Sequence, residues 1–486
     1  MLFNTFLFWF FLLAVWALYT RLEHRKQNWL LLVASYVFYG AWDWRFLGLI
    51  WLSTGTDYIV GLAIGSEDRP GRRKGLLLVS LVVNLGLLAF FKYFNFFTAE
   101  FASFISFFGL QGHLPVLEII LPVGISFYTF QTLSYTIDIY RGQLEPTRDL
   151  LDFALYVAFF PQLVAGPIER SKRLLPQIQS PRSVNLEDFR LGAYDVLYGL
   201  FLKVVVADNM APIANAVFGP GQFPGGDTLF GVYAFALQIY GDFAGYSFIA
   251  RGVARWLGVD IMLNFRRPYF AVDPSDFWQR WHISLSSWLR DYLYIPLGGN
   301  RGGTLMTYRN LMLTMLLGGL WHGPAWTFVL WGGLHGILLI GYRVAGIRRK
   351  GSPLASVADG DRTTAARVLP GLRNKVRTVF GALLLFHLVC ITWVFFRAQS
   401  IGEAWQVLVN IATQFSFTSF ALGAASAMLF FAGPLIVYEL WLETGGDHAR
   451  LLKSRWWVRG LVYAYCIFML LFFPPISAQQ FIYFQF

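Results

Sequence analysis

Long apolar runs separated by short basic segments recur along almost the whole of this 486-residue chain. The first run covers Leu2 to Tyr19, and others lie near residues 29–42, 46–64, 76–97, 118–138, 191–207, 228–250, 309–322, 325–345, 378–397, 418–441 and 457–475. A helix needs about 20 mainly apolar residues to cross a bilayer. The pattern therefore predicts a chain that passes repeatedly through a membrane, with the shorter runs as half-spans or re-entrant helices.

The composition supports this class of protein. Charged residues make up 14% of the chain and hydrophobic residues 56%, whereas soluble domains carry about a quarter charged residues. Aromatic residues reach 18%, and such rings suit the interface between lipid and water. We therefore predict an all-α, polytopic membrane protein, with about ten to twelve transmembrane or re-entrant helices plus interfacial amphipathic helices. Residues 1–486 are predicted to form a single membrane-embedded domain.

The positive charges are confined to particular places in the chain. A formal net charge of +11 would by itself be compatible with nucleic-acid binding. The basic residues cluster, however, between apolar runs: Arg21, Arg25 and Lys26; Arg69, Arg72, Arg73 and Lys74; Arg348, Arg349 and Lys350; Arg450, Lys453 and Arg455. This placement follows the positive-inside rule. We expect these segments to face the cytoplasm and membrane lipid, and we expect no nucleic-acid partner.

Residues 347–377 form the longest polar stretch of the chain. They are rich in Gly, Ser, Pro, Ala and Arg, a composition that is typical of a loop without a fold of its own. We predict a flexible cytoplasmic linker here, within the membrane-embedded domain.

The segment Arg266–Arg301 is neither apolar enough to span a membrane nor polar enough to be a simple loop. Asp273 followed by Pro274 is a helix-start signature. Aromatic and aliphatic residues then recur at spacings of three or four, which places them on one helical face: Phe277, Trp281, Leu285, Trp288 and Tyr292. We predict one amphipathic helix of about twenty residues at the membrane interface.

The histidines inside apolar segments are the first candidates for chemistry, because polar groups are costly in a membrane. His335 and His387 are predicted to form hydrogen bonds between helices. His322 follows two glycines, and Gly323 and Pro324 end its helix. A neutral imidazole at such a helix end can take a proton from a hydroxyl group. From these features alone, a general base and a structural core histidine both remain open.

Metal catalysis fits this sequence poorly. Histidine pairs at ligand spacing and the HExxH motif are absent, and Cys390 and Cys466 stand apart in apolar runs. We therefore predict neither a metal nor a tightly bound cofactor. The glycine-rich stretch 298–303 is a weak phosphate-binding signal, in which Arg301 is a candidate to contact the phosphates of a soluble donor.

Several motifs together resemble the membrane-bound O-acyltransferase family, specifically the bacterial branch that includes the membrane subunit of alginate O-acetylation. The matching stretches reach from the first third of the chain to its last residues: Leu121–Phe130, Phe160–Ile168, Phe277–Ser286, Trp288–Ile295, Leu297–Arg301, Leu320–Gly323, Trp393–Arg397 and Phe481–Phe486. The resemblance implies a multi-pass enzyme of the bacterial inner membrane. It implies transfer of an acetyl group from cytoplasmic acetyl-CoA across that membrane, for O-acetylation of an exported polysaccharide such as alginate or cellulose.

The resemblance also assigns roles to two histidines and implies partners. His322, in the Trp-His-Gly motif, would be the catalytic residue. His282, in the Arg-Trp-His-Ile-Ser motif, would be its companion, either as a second polar contact to the reacting groups or as a support. Acetyl-CoA or an acyl carrier would be the donor, and a periplasmic acetyltransferase partner protein would complete the transfer.

Two other functions stay open at this point. A D-alanyl transferase acting on teichoic acid belongs to the same family and would use a carrier protein in place of acetyl-CoA. A transporter without enzymatic activity would still move its solute after replacement of His322.

Overall fold

The computed structural model describes residues 1–109, 117–346, 372–475 and 481–482, with backbone alone for residues 372–377. All regular secondary structure in these ranges is helical. The first half of the chain forms α1 (Phe6–Tyr19), α2 (His24–Asp43), α3 (Leu47–Ser66), α4 (Pro70–Leu88), α5 (Phe94–Phe107), α6 (Ile125–Tyr140), α7 (Leu150–Ala158), α8 (Phe160–Leu163), α9 (Ser171–Gln179), α10 (Leu186–Leu200), α11 (Asp208–Val217) and α12 (Gly225–Trp256).

The second half contains the segment in which the candidate histidines lie. It forms α13 (Pro274–Trp278), α14 (Ile283–Leu289), α15 (Gly303–His322), α16 (Trp326–Val344), α17 (Leu372–Arg397), α18 (Ile401–Thr413), α19 (Ser419–Phe431), α20 (Gly433–Gly445) and α21 (Trp456–Phe472). Three π-helical turns, Ala89–Tyr93, Phe201–Ala207 and Arg290–Tyr294, continue α4, α10 and α14. Most of the predicted linker, residues 347–371, lies outside the described ranges, and residues 372–377 already belong to α17.

Within the described ranges, five helical segments are long and apolar enough to cross a membrane: His24–Ser66, Pro70–Phe107, Leu186–Val217, Trp326–Val344 and Thr378–Arg397. A sixth results if α19 and α20, which are bent by 47° against each other, form one broken span. The all-α polytopic class is thus confirmed. The number of such segments is smaller than the predicted ten to twelve helices for two reasons. The segment His24–Ser66 contains both α2 and α3, and the apolar helices α1 and α21 are too short to be counted.

The centre of the body is α12, which is buried along nearly its whole length. It packs against α10 and α11 on one side and against α17, α18 and α19 on others. Phe235, Phe243 and Ile249 of this helix are each no more than 1% exposed. A helix that is apolar around its full circumference is expected at such a central position.

One group of charged side chains inside this body is paired. Lys203 Nζ lies 2.7 Å from Asp208 Oδ1 and 2.8 Å from Asp242 Oδ1, and all three residues are buried. The other carboxylate oxygen of Asp242 accepts a hydrogen bond from the Ile482 backbone N–H at 2.6 Å. Burial of a charge is tolerated where an opposite charge and hydrogen bonds compensate it. This cluster therefore attaches residues 481–482 to α12.

The segment 266–301 begins as predicted and then departs from the prediction. The Asp273 carboxylate caps α13 by accepting a hydrogen bond from the Asp276 N–H at 2.9 Å. The helix ends at Trp278, and His282 then has a left-handed backbone (φ 45°, ψ 54°) before α14 begins. The prediction of one continuous amphipathic helix is therefore wrong.

Two backbone hydrogen bonds explain the break. The Arg266 N–H donates to Arg280 O and the Ile283 N–H donates to Asn264 O, both at 2.9 Å. These bonds to residues 264 and 266, which precede the predicted helix, replace helical ones. The predicted stripe is buried in protein, with Phe277 and Leu285 each 1% exposed, so its apolar face meets the core instead of the membrane interface.

Candidate active site

Helix α15 carries His322 as its last residue. Its 20 residues run from Gly303 to His322, and Gly323 has the extended backbone that ends the helix, in agreement with the break expected at Gly323 and Pro324. His322 is 5% exposed. The imidazole thus lies at a helix end inside the body, as the sequence predicts.

The position of this helix end is set by very close packing of α15 on α16. A Cβ atom built on Gly319 would lie 2.2 Å from Phe328 O, and one built on Gly332 would lie 2.1 Å from Met315 O. Small residues at a helix interface allow two backbones to approach in this way. Any larger residue at either glycine would therefore displace His322.

Aromatic rings enclose the imidazole. The ring centroid of His322 lies 5.0 Å from Trp331, 5.3 Å from Phe396 and 5.1 Å from Trp321, with the rings nearly perpendicular. Edge-to-face packing of this kind holds a ring in one orientation. Burial disfavours the charged imidazolium, so these walls favour the neutral ring.

One side of His322 faces a cavity of about 560 Å³. The cavity is lined mainly by the ends of α2 and α4, by the loop before α6 and by α15: Met1, Leu2, Phe38, Tyr39, Ala41, Trp42, Lys92, Ile120, Leu121, Pro122, Val123, Gly124, Ile125, Ser126, Phe127, Val164, Trp321 and His322. A cavity of this size and apolar character is typical of a small-molecule site. His322 therefore has both a buried ring and room for a reactant beside it.

The cavity lies at the helix ends opposite to the basic segments. In α2, Phe38 and Trp42 line the cavity while Arg25 lies in the first turn. In α4 and its π-helical extension, Lys92 lines the cavity while Arg72 lies in the first turn. The cavity therefore lies at the end of the body away from the segments that the positive-inside rule places in the cytoplasm.

His282 is completely buried next to this site. Its ring centroid lies 6.0 Å from that of Trp321. Phe243 of α12 packs edge-on against it at 4.6 Å. The fold thus brings together the two histidines that the motifs singled out, with Trp321 beside both.

Comparisons with known proteins agree with this geometry. Residues 143–350 match the model of the membrane-bound O-acyltransferase family. The chain is 43% identical over 420 residues to the probable alginate O-acetylase AlgI of Azotobacter vinelandii. The aligned stretch covers 86% of this chain and 78% of that protein. The chain belongs to the membrane-bound O-acyltransferase family. It is an O-acyltransferase and a multi-pass membrane protein.

Two further relatives differ in the activity that their names state. The peptidoglycan O-acetyltransferase of Helicobacter pylori is 36% identical over 447 residues, covering 84% of this chain and 79% of that protein. The teichoic acid D-alanyltransferase of Streptococcus thermophilus is 28% identical over 294 residues, covering 56% of this chain and 68% of that protein.

Other predicted residues of this O-acyltransferase lie farther from the cavity. His335 Nε2 lies 3.0 Å from Thr392 Oγ1 of α17, and His387 Nε2 lies 2.8 Å from the Tyr233 hydroxyl of α12, so both predicted helix-to-helix contacts are confirmed. Arg301 is exposed and precedes the start of α15, whereas His322 is the last residue of that helix. A helix of 20 residues is about 30 Å long, so the two residues lie about that far apart. Arg301 therefore does not touch the candidate catalytic centre, and its donor-binding role stays a prediction.

Asn264 is a site residue that the sequence analysis missed. Its Oδ1 accepts hydrogen bonds from Ser284 N at 3.1 Å and Ser284 Oγ at 2.9 Å, and it lies 3.3 Å from His282 Nδ1. Asn264 itself is 2% exposed. A single asparagine 18 residues before His282 carries no sequence signal of this contact, because the chain must fold back to form it.

Replacement of Asn264 by alanine is expected to destabilise the protein by about 1–3 kcal/mol, because it leaves a buried backbone N–H without its acceptor. Acyl transfer should fall as well, since His282 loses the side-chain oxygen that lies 3.3 Å from its Nδ1. Thermal unfolding and acyl transfer of the purified variant measure both effects. Asn215→Ala, which removes an amide contact with Arg397 at an exposed position, should change stability by at most about 0.5 kcal/mol. Equal stability of the two variants would contradict the expectation.

Proposed function

We propose that this O-acyltransferase takes an acetyl group from cytoplasmic acetyl-CoA and passes it to a hydroxyl group on the other side of the bacterial inner membrane. The observation that carries the proposal is the buried His322 imidazole in the wall of a cavity of about 560 Å³. A buried base beside an apolar cavity can activate a hydroxyl group while the body limits the access of water.

The location of the cavity supports the direction of transfer. It lies at the ends of α2 and α4 that are opposite to Arg25 and Arg72. If these basic segments are cytoplasmic, the cavity faces the outer side of the membrane, where an exported acceptor would arrive. The donor would then approach from the end of α15 at which Arg301 lies.

The proposed reaction is a single acyl transfer. The neutral His322 imidazole takes the proton of the acceptor hydroxyl as its oxygen attacks the thioester carbonyl carbon. A carbon–oxygen bond forms, the carbon–sulfur bond breaks, and the departing thiolate takes the proton from the imidazolium. Free coenzyme A and an O-acetyl ester are the products.

For His282 the geometry favours a supporting role. It does not line the cavity, and its ring is packed among Phe243, Phe265 and Trp321. Trp321 adjoins His322 in the chain and lies against its ring. We therefore propose that His282 orients the wall of the site through Trp321 and is not the proton acceptor.

The names of the relatives favour a polysaccharide acceptor. The relative in Azotobacter vinelandii is named for alginate and that in Helicobacter pylori for peptidoglycan, and each covers more than four-fifths of this chain. The teichoic acid D-alanyltransferase covers 56%, so D-alanyl transfer is the less favoured alternative. We propose O-acetylation of an exported polysaccharide such as alginate or cellulose, with a periplasmic partner protein completing the transfer.

The decisive experiment supplies radiolabelled acetyl-CoA to membranes that contain the protein and identifies the labelled product. We expect label in an extracted polysaccharide or in a periplasmic protein, dependent on the presence of this chain. Membranes supplied with labelled D-alanine and a carrier protein test the alternative. Label that follows D-alanine, or the absence of chain-dependent acetyl transfer, would contradict the proposal.

A further inference from the structure

Lys92 is a charged residue inside the membrane-embedded body for which the proposed steps have no use. It is the sole charged residue in the apolar run 76–97, and it lies within the candidate span Pro70–Phe107. A charged side chain at such a place is costly and is typical of a functional site. Its contacts indicate what it does.

Lys92 Nζ donates hydrogen bonds to two backbone carbonyls at the end of α15, to Trp321 O at 2.7 Å and to His322 O at 2.9 Å. The neighbouring Tyr93 hydroxyl donates to Leu320 O at 2.7 Å. The last carbonyls of an α-helix have no partner within the helix, so these two side chains satisfy three consecutive ones.

The local backbone explains how adjacent residues reach the same helix end. Lys92 and Tyr93 belong to the π-helical turn Ala89–Tyr93, a deviation that is frequent at functional sites. Lys92 also lines the same cavity as His322. Its Nζ lies 5.7 Å from the ring centroid of Trp321, the ring that packs against His322.

The charge of Lys92 matters as well as its hydrogen bonds. A helix C-terminus carries partial negative charge on its free carbonyls, and here two of these carbonyls belong to Trp321 and His322, which line the cavity. During acyl transfer the thioester oxygen becomes negatively charged, so uncapped carbonyls nearby would oppose the reaction. A neutral hydroxyl, as Tyr93 supplies to Leu320, satisfies a carbonyl without a counter-charge. An ammonium group supplies both the hydrogen bond and the counter-charge.

We propose that Lys92 is a positioning residue for acyl transfer. Its ammonium group fixes the end of α15 that carries His322, and it neutralises the negative carbonyls beside the reacting acyl group. This inference rests on the function proposed above for His322.

The test compares Lys92→Met, Lys92→Arg and Tyr93→Phe in membranes supplied with radiolabelled acetyl-CoA. Lys92→Met removes the charge, and we expect kcat to fall at least about tenfold while KM for acetyl-CoA changes by less than about threefold. Lys92→Arg keeps a cation with several N–H donors and should retain at least about fivefold more activity than Lys92→Met. Tyr93→Phe removes a neutral cap from the same helix end and so separates the hydrogen bonds from the charge; its kcat should fall at least about threefold less than that of Lys92→Met.

Rates are expressed per folded enzyme, with folded protein measured by thermal unfolding in detergent. Any of three results would overturn the inference. Lys92→Met could be fully active, Lys92→Met and Lys92→Arg could lose activity equally, or the loss could disappear after correction for folded protein. His322→Gln in the same assay separates the two proposals. If His322→Gln is inactive and Lys92→Met is fully active, the Lys92 inference alone fails. If His322→Gln is active, the role of His322 fails.

Discussion

Replacement of His322 by glutamine is expected to lower acyl transfer by at least about 100-fold, because a general base contributes roughly that much or more to a rate. Glutamine is close to histidine in size and can form hydrogen bonds, but its amide does not accept a proton at neutral pH. The ring is enclosed by Trp321, Trp331 and Phe396, so no solvent-exposed base can easily replace it. Acetyl transfer in membranes, normalised to the amount of protein, measures the effect.

His387→Gln is the matched control for this experiment. His387 lies in another helix and contacts Tyr233 at an exposed position, so the same chemical change should leave acyl transfer nearly unchanged. Retention of activity in His322→Gln, or similar losses in both variants at equal protein level, would rule out His322 as the base.

Gly332→Ala is expected to have the second-largest effect. The added Cβ would lie 2.1 Å from Met315 O, so α15 and α16 must separate by more than about 1 Å to reach an ordinary contact of 3.4 Å. Overpacking of this kind costs about 1–3 kcal/mol of stability. A displacement of about 1 Å at a reacting group can lower the rate about 100-fold. Thermal unfolding in detergent and acetyl transfer measure the two consequences.

Gly341→Ala provides the control in the same helix. No heavy atom lies within 4 Å of the Cβ position at Gly341, and alanine favours a helix over glycine by about 0.5–1 kcal/mol. This variant should keep its activity and should be slightly more stable. A Gly332→Ala variant as stable and active as Gly341→Ala would show that the close contact of α15 and α16 does not position His322.

Much of the architecture follows from local features of the sequence. The apolar runs predict a helical membrane protein, and that class is confirmed. Asp273 and Pro274 correctly predict a helix start, and Gly323 and Pro324 correctly predict the helix end at His322. Each of these signals acts within a few residues of the structure that it predicts, which is why it can be read without the fold.

The candidate site contains features that local signals do not predict. The stripe from Phe277 to Tyr292 has helical spacing, yet the helix breaks at His282, where Asn264 accepts hydrogen bonds from the Ile283 and Ser284 backbone N–H groups. Lys92 differs in this respect, since a lone lysine in an apolar run is a visible signal. Its partners at the end of α15 are not visible, because they lie 229 and 230 residues away.

The sequence by itself determined the class of protein, the helix end at which His322 lies and the motifs that connect the chain with O-acyltransferases. These depend on hydropathy, on helix-ending residues and on short motifs, all of which are local. The tertiary structure alone decided that His322, His282 and Lys92 surround Trp321, that His322 and Lys92 line one cavity, and that the backbone at His282 is left-handed. Such features depend on hydrogen bonds and close packing between remote segments, whose energies exist only once the helices are assembled.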